Sequence, residues 1–416
     1  MKRLLSLTLA CTILLSLLSG CGVAADYEVL TADPVSVNYD APPELARTAE
    51  AAMASLGLDL LRDTRDQLGE PALVSPLSVA LALSMAANGA GGDTLAQMEA
   101  VLSGGAGLDV LNALCRDLTD SYEHLGGSTE CSIANSLWVD PEGGIYEDFI
   151  GRCIGIFDAQ VIQAELSDPG IVPALNGWVS DHTREMIPEI VTEPFSQNTA
   201  ALLVNALYLK NTWETEFDPV QTRAQTFTHA DGGTEELDFL SHFEESFPYL
   251  AGDGAQGALL PYDDGRLAFF ALMPDEGTDF GEWLASLDGD TLAGLAAEAK
   301  DTRFLRLSLP KFETEWKGDL KGILSGLGLE NAFIPGLADF SRLGDNPYGY
   351  FLNQVIHTTK IQVNEKGTEA AAATVVEPNG GSAPPEEGIT LLFNRPFLYG
   401  IVDLQNGVPL FLGTFE

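Results

Sequence analysis

The stretch VNEKGTEAAAATVV, residues 363–376, decides how this chain is read. It runs as an extended segment into Gly367, then through Ala370, Ala371, Ala372 and Ala373 into Thr374, Val375 and Val376. Four alanines favour a helix, whereas the flanking β-branched residues favour a strand. Opposed local preferences mark a segment that serves two states. Composition alone accounts for it equally well as an alanine-rich helix or linker, so the surrounding chain has to decide.

Working outward, residues 44–68 carry apolar side chains at helical spacing, interrupted by Gly57. Ser75-Pro76 is a helix start, and the run to Ala87 is apolar nearly all round, which predicts a central buried helix. A third helix is predicted over Thr94–Leu102, a strand over Ser132–Val139, a helix over 145–158, a strand over 160–166 and a helix over Ile171–Ile190. Ala200–Lys210 is apolar on both faces, as a strand in the middle of a covered sheet is. Strands follow at 224–229, 236–242, 257–261, 267–273 and 303–316, with helices near 278–298 and 317–326. Asn406-Gly407 turns a closing hairpin between Leu398–Asp403 and Val408–Phe415. Helices crowd the first half and strands the second, which predicts one large α+β domain.

With 416 residues and 45% apolar content the chain can bury a large core. Lys2 and Arg3 precede an apolar run from Leu4 to Leu18, the layout of a signal peptide. That run ends in Leu18-Ser19-Gly20-Cys21, which resembles a bacterial lipobox. Residues 1–20 then form a lipoprotein signal peptide, Cys21 is lipidated, and residues 21–43 are a tether outside the cell. An ordinary signal peptide with an incidental Cys21 is the alternative. Loss of residues 1–20 leaves 19 basic against 61 acidic residues, a net charge of −42. Nucleic acid is excluded as a partner, because phosphate binding needs a basic surface. Cys115, Cys131 and Cys153 remain, at spacings that fit neither a zinc site nor a disulfide framework. They read mostly as small buried apolar residues, with one disulfide possible in an unspecified pairing.

The chain holds no nucleophile elbow, HExxH or P-loop, and its five histidines lie beside no Cys or Ser motif. GAGGD (89–93) lacks the preceding strand and the lysine of a phosphate loop, and Asp263-Asp264-Gly265 reads as a turn. An enzyme is not expected, and no metal or other cofactor is indicated.

Six stretches in order carry a family likeness: LVSPLSVALALSMAANGAGGDT (73–94), IANSLWVD (133–140), LLVNALYLKNTWETEF (202–217), LSLPKFETEW (307–316), QVNEKGTEAAAAT (362–374) and FNRPFLYGIVD (393–403). Across residues 44–416 the chain resembles a serpin. The resemblance implies three sheets, eight or nine helices and an exposed reactive loop at about 367–392. It implies that a target protease cleaves this loop, which then inserts as a new strand between those matching 200–210 and 356–366. The acyl-linked protease is carried along and distorted, and the inhibitor is spent.

Residue types suit that task. Gly367 is a pivot, Ala370–Ala373 bring no bulk, and the alternate residues Thr368, Ala370, Ala372, Thr374 and Val376 are uncharged on the face to be buried. By resemblance, Ser75, Ser78, Asn205 and His357 form a polar cluster that holds the sheet closed. Lys311 and Glu365 form an ion pair near Trp213, where insertion begins. Family spacing from Gly367 places the reactive bond at Gly381-Ser382, within a range Val375 to Ala383; counting back from Phe393 gives Pro385-Glu386. Glycine fills no specificity pocket, so an elastase-like or subtilisin-like serine protease is the expected target, with papain-like cysteine proteases as a second class. The protein is expected to be monomeric. The competing function is a surface lipoprotein of the same fold that binds or adheres without inhibiting.

Overall fold

The computed structural model describes residues 25–37, 39–68, 72–196, 199–244, 247–252, 254–302, 305–368 and 388–416. Nine α-helices occur among them, with three larger sheets and one two-stranded ladder. Ser75 caps the helix Pro76–Gly89 through its side chain, Pro76 occupies the first turn, and every residue of that helix is buried, as its unbroken apolar surface predicts. It packs on the long helix Pro43–Leu68. Gly57 does not interrupt that helix. A Cβ there would press into Pro76 and Leu412, so the glycine lets two helices and a strand approach closely.

The first sheet has seven strands, ordered Tyr27–Leu30, Gln160–Ala164, Glu130–Val139, Ala201–Thr212, Gly367–Thr368, Val355–Val363 and Phe312–Asp319. The second is ordered Lys300–Thr302, Phe247–Gly252, Ala255–Pro261, Leu267–Pro274, Phe397–Asp403, Pro409–Phe415 and Leu73–Val74. Their facing residues form the main core, with Trp213 edge-on to Phe269 at 5.7 Å and Phe312 against Tyr399 at 4.8 Å. The other face of the first sheet buries Trp138, Ile162, Leu202 and Val204 beneath Leu175 and Val179 of the helix Ile171–His182. A third sheet, ordered Thr390–Leu392, Leu305–Pro310, Thr234–Glu244 and Arg223–Thr228, carries the chain that returns from the loop.

Several elements differ from the sequence reading. The helix Leu108–Tyr122, with Val110, Leu111, Cys115 and Leu118 buried, was not anticipated. The helix from Ile171 stops at His182, because Arg184 and Glu185 take positive φ of 51° and 65° ahead of Pro188. The predicted helix 278–298 is two, Phe280–Ser286 and Gly289–Glu298, since Asp288 caps the second through Thr291. The predicted strand 303–316 is broken by Lys311, whose N–H leaves for Asp238 O.

Residues 25–37 are not a free tether. Tyr27–Leu30 adds an antiparallel strand to the edge strand Gln160–Ala164, and Tyr27 meets Trp138 edge-on at 5.6 Å. Val35 N–H donates to Gly151 O at 2.8 Å, and Arg116 donates to Val37 O. Gly151 and Gly155 make room for this segment: a Cβ at either would collide with the main chain of Asp33 or Val35. No sustained apolar period announces the segment, because main-chain bonds and missing side chains hold it. Cys21 lies outside the described residues.

Candidate functional site

The strands Ala201–Thr212 and Val355–Val363 run parallel, but only Val355 with Leu203 and Ile356 with Val204 form ladder pairs among the described residues. At the far end Gly367–Thr368 is seated between them, pairing Gly367 with Thr212, Thr368 with Asn211, and Thr368 with Val363. The result is a seam, zipped at one end and wedged at the other. Between lies a cavity of about 30 Å³ bounded by Leu207, Leu209, Ile361, Gln362 and Thr368. The buried hydroxyls of Thr358 and Thr359 on this strand reach no partner among the described residues, which is unusual for buried polar groups.

The expected exposed loop therefore begins later than Gly367. Both Gly367 and Thr368 are buried, because Gly367 pairs with Thr212 and Thr368 pairs with a strand on each side. A Cβ at Gly367 would collide with Asn211 O, so close approach, rather than a positive φ, is what requires glycine here. Thr368 faces the core as its parity predicts, and its Oγ1 accepts from Tyr262 Oη at 3.1 Å. Ala370, Ala371, Ala372, Ala373, Gly381 and Ser382 lie outside the described residues.

The wedged end is held by a second set of groups. Lys311 Nζ reaches Glu365 Oε2 at 2.9 Å, and Thr222 Oγ1 donates to Oε1 at 3.0 Å. Burial pushes the Glu365 carboxyl up, but Lys311, its own N–H and Thr222 together hold it below the ordinary range. Trp213 Nε1 donates to Asn364 O at 2.9 Å, and Trp213 N–H donates to Lys366 O at 2.9 Å. The indole stacks on Tyr262 with centroids 4.9 Å apart. Thus one aromatic pair ties the turn before Gly367 to the residue after it. Sequence reading placed Lys311, Glu365 and Trp213 here and missed Tyr262 and Thr222, which lie just past the strand Ala255–Pro261 and just before the strand Arg223–Thr228 and carry no local signature.

The zipped end carries the polar cluster. Ser75 N–H donates to His357 Nε2 at 3.0 Å, and Ser75 Oγ donates to Leu410 O at 2.7 Å. Ser78 Oγ donates to Asn205 Oδ1, Asn205 Nδ2 to Asn135 Oδ1, and Asn135 Nδ2 to Phe157 O at 3.1 Å. A chain of polar groups thus runs from the central helix across the sheet. His357 is 2% exposed, and burial lowers its pKa to about 4, so it is a neutral acceptor. Asn135, an amide in the middle of an apolar strand, was the missed member; its position in SIANSLWV is the signal that could have found it.

The three cysteines among the described residues are not set up as nucleophiles. Cys115 and Cys153 are buried and Cys131 is half-buried; all three are free thiols. Burial pushes Cys115 and Cys131 up to about 12 and Cys153 higher still, so none is a thiolate nucleophile at neutral pH.

The family model described as serpin (serine protease inhibitor) matches residues 51–416. An uncharacterized serpin-like protein of Thermococcus kodakarensis is 31% identical over 344 residues, covering 82% of this chain and 79% of its own. Among solved structures, the thermophilic serpin tengpin in its native state gives a TM-score of 0.82 at 31% identity, over 92% of this chain and 97% of its own. Tengpin in its latent state gives 0.76 at 29% identity, over 91% and 99%.

Proposed function

The chain belongs to the serpin family, and on that premise we propose that it is a single-use inhibitor of serine-type endopeptidases. The observation that carries this reading is the seam: two strands held apart below Thr368, with the start of the loop already seated in register between them. A protease serine attacks the Gly381 carbonyl and expels the Ser382 amine, leaving an ester. The freed strand then continues the register set by Gly367 and Thr368, gaining main-chain hydrogen bonds on both sides and drawing the esterified protease toward the Leu203 end. The better superposition on native than on latent tengpin supports a molecule poised before that step. Gly381 favours elastase-like or subtilisin-like targets. The signal sequence supports a protein lipidated at Cys21 and held outside a bacterial cell.

Mixing the mature protein with elastase-like, subtilisin-like, trypsin-like and papain-like proteases tests the proposal. The expected result is a complex with one of the first two that survives boiling in detergent, while loop cleavage raises thermal stability. Thr368→Arg, which puts a guanidinium against the Tyr262 hydroxyl, should turn the inhibitor into a substrate. Clean cleavage by every protease, with no trapped complex and no rise in melting temperature, would instead favour a serpin fold used only for binding.

A further inference from the structure

We infer that the end of the first sheet opposite the loop is the membrane-facing surface, and that residues 25–37 are the strap that fixes this orientation. The inference rests on the proposed lipid at Cys21, but its geometry stands on described residues. Tyr27 pairs with Ala164; the adjacent Gln163 pairs with Val139, and Val139 with Ala201. Gly367 pairs with Thr212, at the other end of the strand that starts at Ala201. That strand of 12 residues spans about 40 Å at roughly 3.3 Å per residue. The chain therefore enters the body at one pole of the sheet and the reactive loop leaves at the other.

The entry is fixed rather than loose. Ala25 N–H donates to Gly170 O at 2.8 Å, the four pairs of Tyr27–Leu30 follow, and Val35 is seated in the groove left by Gly151 and Gly155. Only the residues between Cys21 and Ala25 remain to span the gap, a reach of at most about 14 Å fully extended. A bilayer holding the lipid thus lies against the pole that carries Ala164 and Gly170, and the loop root projects about 40 Å further from it. Bait presentation is outward. Insertion, which runs from Thr212 toward Leu203, carries a trapped protease toward the lipid surface.

The test places one fluorescent donor at Thr215→Cys, beside Trp213 at the loop root, or at Glu193→Cys. Glu193 is exposed two residues before Phe195, whose N–H donates to Leu166 O just past the entry row. Cys131 is replaced by Ser in both, and vesicles carry an acceptor lipid. One arm uses the naturally lipidated protein; the other uses mature chain with a histidine tag at residue 21 on nickel-chelating vesicles. Several-fold stronger quenching at position 193 than at 215 is expected in both arms. A Gly-Ser spacer of about 20 residues after Gly22, with a root-mean-square span of about 25 Å, should erase most of the difference without touching the fold. Gly155→Val, which evicts Val35, should do the same. Equal quenching at the two positions in the nickel arm would overturn the orientation. Failure of the natural protein to partition into membranes would overturn the lipid anchor, and with it the membrane assignment, while the nickel arm still reads the strap.

Discussion

Lowering the pH from 7.5 to 4.5 should weaken the zipped end of the seam through one side chain, His357. Burial lowers its pKa from 6.5 to about 4, and its Nε2 accepts the Ser75 N–H at 3.0 Å, so protonation there removes the bond. The unfolded chain takes up the proton first. This contribution to stability is therefore complete above pH 6.5 and is lost as the pH falls toward 4. Between pH 7.5 and 4.5 the loss is roughly 2–3 kcal/mol. The many carboxylates titrate over the same range, so the measurement is a difference. Urea-unfolding midpoints are taken at both pH values for the wild type and for His357→Gln, whose amide oxygen can accept the same N–H. The wild type should lose roughly 2–3 kcal/mol more than the variant. Equal losses would refute the assignment of His357 as a buried neutral acceptor.

Three further outcomes follow from the same contacts. Gly367→Val collides with Asn211 O and should unseat the wedge, read as faster amide exchange at Thr368 and Asn211. Lys311→Met leaves the Glu365 carboxylate with Thr222 and its own N–H; because Lys311 is 42% exposed, the loss should be about 1 kcal/mol or less, with the Glu365 pKa rising when followed by NMR. Gly57→Leu forces a side chain into Pro76 and Leu412 and should cost about 2–3 kcal/mol in urea unfolding.

Much of this architecture could be read from residue patterns, and the exceptions share a cause. The helix Pro76–Gly89 and the strand Ala201–Thr212 were legible because burial on every side leaves an unbroken apolar run. The hairpin at Asn406-Gly407 was legible because Gly407 takes φ 73°, which the turn demands. The helix Leu108–Tyr122 was overlooked although its apolar residues recur at helical spacing; Asn112 and Thr119 are also buried on it and blur the boundary between faces. The strand Tyr27–Leu30 was illegible, since half-exposed edge residues held by main-chain bonds leave no period. At the site, residues carried by motifs were found, whereas Tyr262 and Thr222 depend on how distant strands meet. The seating of Gly367 and Thr368 was likewise beyond local preference, because it is decided by the width of the gap between two strands.

That gap behaves as a crack in a brittle sheet, with two residues already driven into its mouth. The tip stands at Val204 and Ile356, beside Asn205 and His357. The rows between Asn211 and Val204 are already parted, so the first residues driven in would fill them, and only the later ones would advance the tip, one row each. Resistance is therefore concentrated where the ladder is still intact, while the stretch already parted offers little. Substitutions at the tip should change how fast it advances, and those along the open faces should change how firmly the healed sheet holds afterward. The placement of His357, the only buried histidine among the described residues, beside that tip makes the advance of the tip the step most exposed to acid.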